Sequence, residues 1–228
     1  MPQLPLEYIR QALYFFRSHF SMVVRIQLPF LLLINVLALL ADTSFDSQSE
    51  SFSTMVAGLT LLNVTLMPIY MAATIFYFGS VVKNQPLTAG QALLLGLTRW
   101  RALLLVYALS AFAVFSGLLF LVIPGIFILI RLGFADYICV AEQKGPLDAL
   151  KESWERSEPW FWTLLNGLAI LFVIVTGTEM LLELLLEKIG LLNAPVSALI
   201  NMFFGLLNTA LTVYGFRVYC IAQEETPG

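Results

Sequence analysis

Charge is the scarcest commodity in this chain: 12% of its 228 residues are Asp, Glu, Lys or Arg, about half the share of an ordinary soluble domain. With 59% hydrophobic residues and a mean hydropathy of +0.86, a water-soluble fold would be left with more apolar surface than it could bury. There is one histidine, His19, and there are two cysteines, Cys139 and Cys220. Three such ligands make no credible metal site, and both thiols fall near helix ends expected on the reducing cytoplasmic side, which argues against a disulfide. A net charge of −3 and a pI near 5.2 argue against nucleic acid, which selects for basic surfaces. No nucleophile stands beside a recognisable base, and the glycines form no phosphate loop, so no catalytic residue and no cofactor is expected.

What is present is a series of long apolar runs. A spanning helix needs about 20 apolar residues, and six segments meet or approach that: 21–41, 54–81, 102–123, 126–142, 160–182 and 196–221. Of twelve basic residues, ten (Arg10, Arg17, Arg25, Lys83, Arg99, Arg101, Lys144, Lys151, Arg156, Arg217) lie in alternate gaps or at the helix ends facing them; Lys188 lies in an opposite gap and Arg131 inside a run. Short loops rich in Lys and Arg stay cytoplasmic. This predicts both termini, 82–101 and 143–159 inside, with 42–53, the Pro124-Gly125 turn and 183–195 outside. Trp100, Trp154, Trp160 and Trp162 then fall at the inner interface, where amphipathic rings favour the headgroup level. The first run begins late and is too long for a signal-peptide core, so no cleavage is expected. The expected fold is an all-α, polytopic membrane protein, one domain over 1–228.

The inner segments are patterned. In 5–20, Leu6, Ile9, Leu13, Phe16 and Phe20 recur at steps of three and four, as in an amphipathic helix lying in the interface plane. Leu147, Leu150 and Trp154 repeat the pattern in 146–158, and Thr88 to Gln91 reads as a capping box opening a third short helix. Each segment opens with Pro-Leu, and fourteen residues after each proline stands a ring: His19, Trp100 and Trp160. The chain therefore reads as three possible repeats of interfacial helix plus hairpin, a plan used by some transporters.

The stretch 121–158 carries Pro124-Gly125-Ile126, Glu142-Gln143, Gly145, Ala149-Leu150 and Ser153 in a recurring membrane-domain order. Together with Tyr14 to Phe20 near the start and Tyr214 to Tyr219 near the end, it resembles the YciC family of bacterial inner-membrane proteins. That resemblance implies a six-span inner-membrane protein with no assigned biochemical activity. A more distant similarity is to membrane domains attached to some glycerophosphodiester phosphodiesterases, whose soluble catalytic barrel has no counterpart here.

Four intramembrane charges form the candidate polar interior. Ionisable residues inside a span are expensive and face a partner or a cavity. Arg131, toward the outer end of the fourth span, is expected near Glu179 on the fifth; deeper Asp136 is expected near Arg217 on the sixth. Either structural ion pairs or a polar cavity for headgroups or ions would satisfy them. Glu179, Glu183 and Glu187 share one helical stripe, which suits a solvated face or a cation-attracting mouth, with the helix stopping at Gly190. The candidate inner interface comprises Arg17, His19, Arg99, Trp100, Arg101, Trp154 and Trp160. The leading expectation is a non-enzymatic membrane protein whose partner is phospholipid, supporting envelope lipid handling or membrane organisation. The alternative is a small secondary transporter or channel using Arg131 and Asp136.

Overall fold

A computed structural model of the chain describes residues 5–44 and 50–225. Its elements are α1 (Pro5–Ser44), α2 (Glu50–Val82), α3 (Ala89–Phe120), α4 (Val122–Arg131), α5 (Ala135–Ala141), α6 (Pro146–Arg156), α7 (Phe161–Lys188) and α8 (Ala194–Glu225), with no strand among the described residues. Six helical stretches there are long and apolar enough to cross a membrane. The protein is an all-α polytopic membrane protein. Most of the expected loop 42–53 is the end of α1 and the start of α2, and 45–49 lie outside the described residues.

Two of the three expected interfacial helices are not separate elements. The segment 5–20 runs without a break into the first span, as one helix of 40 residues, or about 60 Å at 1.5 Å per residue. Its apolar face is also divided: Ile9 and Phe16 are buried together with Tyr8 and Ala12, whereas Leu6 and Leu13 are exposed. The buried stripe faces other helices of the bundle, chiefly α8. A 3.6-residue apolar period is the same whether a helix lies on a bilayer or packs against a neighbour. The capping box at Thr88 is present, with the Gln91 N–H donating to Thr88 and the Thr88 N–H to the Gln91 side chain. It opens α3, which continues through the third span. Of the three, α6 alone is a separate short helix.

The fourth span departs most from expectation. Pro124-Gly125 is not the turn: the chain reverses at Leu121, in an extended conformation, and Pro124 sits in the first turn of α4, where its missing N–H costs nothing. Gly117 and Gly125 instead let α3 and α4 close on each other, since a Cβ at Gly117 would lie 3.0 Å from the Gly125 Cα and one at Gly125 would overlap the Leu118 side chain. The span then breaks at 132–134 into α4 and α5. At the far end of α7, Gly190 (φ +70°) provides the expected stop. The Leu191 N–H reaches the Leu186 carbonyl at 2.9 Å and the Gly190 N–H reaches Glu187 at 3.0 Å, a glycine-closed helix end.

Burial is uneven along the bundle. The main core joins Tyr8 to Ile26 of α1, Ala72 to Phe78 of α2, Phe134 to Val140 of α5 and Leu206 to Ala222 of α8. It therefore fills the end of the bundle where α1 begins and α8 finishes. Toward the opposite end the helices expose Leu32, Leu33, Phe112, Phe120, Ile123, Val173 and Leu185. Lipid tails are as apolar as leucine, so side chains there gain little by turning inward. Between these regions Gln27 donates to the Thr74 hydroxyl at 3.1 Å and accepts from Thr209 at 2.9 Å, tying α1, α2 and α8 through buried polar groups.

Candidate functional site

The break in the fourth span is built by Ser153 of α6 and Ser157, the residue that caps its end. The turn frees the Arg131 carbonyl from its helix, and the Ser153 and Ser157 hydroxyls donate to it at 3.0 and 2.8 Å; Ser153 also accepts the Phe134 N–H at 3.0 Å. Satisfying main-chain groups in this way is what permits irregular backbone in a membrane bundle. The Arg131 side chain, 7% exposed, runs between the Phe127 and Trp154 rings, its guanidinium carbon 5.8 and 4.9 Å from their centroids. Nη2 donates to Glu158 at 3.0 Å.

That contact corrects the expected Arg131–Glu179 pair. Glu158 lies just ahead of α7, whereas Glu179 is eighteen residues into it, about 27 Å along the axis. The second expected pair is also absent. Asp136 accepts the Tyr137 N–H at 3.0 Å, in the first turn of α5, and Arg217 donates through Nε to Gln11 at 3.1 Å. Asp136 thus spends its carboxylate on the start of its own helix, and Arg217 turns to α1 rather than to α5. The four candidate interior charges do not converge.

Of the rings expected at the headgroup level, Trp160 is buried, His19 and Trp100 are half-buried, and Trp154 and Trp162 are exposed. His19 Nδ1 lies 2.9 Å from the Phe15 carbonyl and its ring packs on Phe15 and Tyr77. The Trp100 N–H donates to the Thr65 carbonyl at 2.7 Å, in the stretch of α2 that Pro68 interrupts; proline removes a helical donor and loosens the preceding turn. Trp160 is buried edge-on against Tyr8. Trp154, 38% exposed, and Trp162, 69% exposed, keep an outward face. Arg99 reaches Gln143 at 3.0 Å, while Arg17 and Arg101 are exposed.

A charged cluster joins α5, α6 and α8 at the end of the bundle carrying the termini. Glu142 accepts from Arg156 at 2.6 and 3.3 Å, from Tyr219 at 2.7 Å and from Lys144 at 3.1 Å, and Glu152 pairs with both Lys144 and Arg156. Burial acts to raise the Glu142 carboxyl, but donation from Tyr219, Arg156 and Lys144 outweighs it and holds the group below the ordinary range. Pairing with Glu152 first, and then with Glu142, raises Lys144. Gln143, at φ +59°, turns the chain between the helices in a conformation unusual for a residue other than glycine.

Beside this cluster lies an apolar recess with a cationic edge. It has a volume of about 450 Å³ and is lined by Ala12, Tyr14, Phe15, Val82, Val213 and Phe216, with Arg10, Gln11, Arg217 and Cys220 at its polar parts. Both guanidiniums belong to exposed residues. The Arg217–Gln11 bond fixes one of them, because α1 and α8 pack side by side. A hydrocarbon-lined recess with two cations at its mouth is complementary to an anionic amphiphile. Among the described residues no group of three or more His, Cys, Asp or Glu is placed to hold a metal.

The model of one family, described only as an uncharacterised protein family, UPF0259, matches residues 35–221. The chain belongs to UPF0259. The matched region takes in the break at Arg131, the Glu142 cluster and the α8 wall of the recess, while Arg10, Gln11 and Tyr14 precede it. No solved structure matches the chain.

Sequence reasoning missed Gln11, Glu158 and the Gln27–Thr74–Thr209 link. Gln27 carried a signal, as an amide inside an apolar run that needs a partner. Glu142, Ser153 and Gln143 stood out only through a family pattern; their roles depend on α6 folding back against α5.

Proposed function

We propose that this UPF0259 member is a non-enzymatic phospholipid-binding protein of the bacterial inner membrane, with both termini cytoplasmic and a role in envelope lipid handling or organisation. The single observation that carries the reading is the recess between α1 and α8, apolar within and edged by Arg10 and Arg217. Anionic headgroups favour such an edge by about 1 kcal/mol per nearby Lys or Arg. The excess of basic residues at the same end supports the orientation, as does the resemblance to the YciC family. Dispersal of Arg131, Asp136, Glu179 and Arg217 among separate surroundings weakens the transporter alternative.

The test is thermal stability of the full chain in uncharged detergent. Phosphatidylglycerol should raise the Tm more than phosphatidylcholine does, and Arg10→Gln with Arg217→Gln should remove the difference. Equal stabilisation by both lipids in the wild type would overturn the reading.

A further inference from the structure

We infer that Arg131 forms a second phosphate site, for the headgroup of a membrane phospholipid, in which the Glu158 carboxylate occupies the phosphate's place when no lipid is bound. The inference rests on the phospholipid reading above but concerns a different part of the bundle.

The Arg131 guanidinium is asymmetrically satisfied. Its Nη2 donates to Glu158, yet Nε is buried with no hydrogen-bond partner. A guanidinium has five donors in a planar fork that fits phosphate two bonds at a time. Glu158 offers a single contact and its side chain is 72% exposed against 7% for Arg131. A pair whose purpose was to neutralise a buried charge would enclose both partners. Here the anion stands at the surface, between Ser157 and Pro159, and can swing into water while the cation stays in place.

The cation keeps a surround that does not depend on Glu158. Ser153 and Ser157 tie the Arg131 carbonyl, and Trp154 and Phe127 flank the guanidinium. Those two rings are themselves part-exposed, so lipid arriving at the arginine meets aromatic surface. Partly exposed aromatic rings beside a cation suit a phosphate joined to acyl chains. A free phosphate shares the oxyanion chemistry but makes no use of the rings.

The experiment measures phosphatidylglycerol affinity of the full chain in uncharged detergent, in a background of Arg10→Gln and Arg217→Gln that silences the first site. Glu158→Ala should tighten binding about two- to fivefold, the worth of an exposed ion pair, and Arg131→Met should abolish it. Glu155→Gln, an exposed charge removed from α6, controls for general electrostatics and should change affinity less. If Glu158→Ala has no effect, or Glu155→Gln matches it, the inference is overturned, even should Arg131→Met prove unstable. Inorganic phosphate competing as well as the lipid would overturn the lipid assignment. Loss of binding on silencing the first site alone would overturn the second site and leave the function intact. A wild type that binds no phosphatidylglycerol would overturn both.

Discussion

Tyr214 of α8 occupies the space where a side chain at Gly167 of α7 would stand, and its hydroxyl donates to the Thr163 carbonyl at 2.7 Å. The two helices meet without a gap, and a large ring is accommodated only because its neighbour has none. Gly167→Ala should push the ring from its position and cost about 1–3 kcal/mol, the usual penalty of overpacking. Thermal unfolding in detergent measures it. Gly177→Ala, on the same helix with open space around it, is the matched control and should cost little.

The Glu142 cluster should make stability depend on pH. Its carboxyl is held below the ordinary range in the folded chain, so its contribution is complete above the unfolded value, about 4.5, and is lost as pH falls through the folded one. The Tm difference between wild type and Glu142→Gln should therefore be full at neutral pH and shrink below about pH 4.5. A difference that stayed constant down to pH 3 would show that the cluster does not titrate with folding.

Thr209→Val should leave the Gln27 Oε1 without its buried donor. Interhelical hydrogen bonds in membranes are worth about 0.6–2 kcal/mol, and the loss should appear as reduced resistance to denaturing detergent. Gln27→Leu, which removes the amide itself, should cost no more than Thr209→Val.

Orientation is open to direct labelling. In a background of Cys139→Ala and Cys220→Ser, a thiol reagent unable to cross the inner membrane should label Lys188→Cys and spare Lys151→Cys, both at exposed positions. The opposite pattern would reverse the assignment drawn from the basic residues.

The helical plan was legible because about 20 apolar residues are needed to cross a bilayer and little else produces such runs. The capping box at Thr88 and the stop at Gly190 were legible because each is a local backbone requirement met by local residues. The break after Arg131 was not, since an apolar run looks the same whole or broken and the groups that make the break stable, Ser153 and Ser157, come from another helix and its cap. The same cause hid the partner of Arg131. Pairing it with Glu179 rested on depth along two spans, whereas its partner Glu158 lies in the segment between α6 and α7. The α1 stripe showed its period but not what it faces, so the recess edged by Arg10 and Arg217 could emerge only once α1 and α8 were placed together.

Lipid held at that recess should leave the membrane with the protein. Wild-type chain and the Arg10→Gln, Arg217→Gln variant, purified in the same mild uncharged detergent, would be compared by mass spectrometry of their co-purified phospholipids. Anionic phospholipid should be enriched over the bulk membrane in the wild type, and that enrichment should be reduced in the variant. Identical lipid profiles at equal fold stability would contradict it.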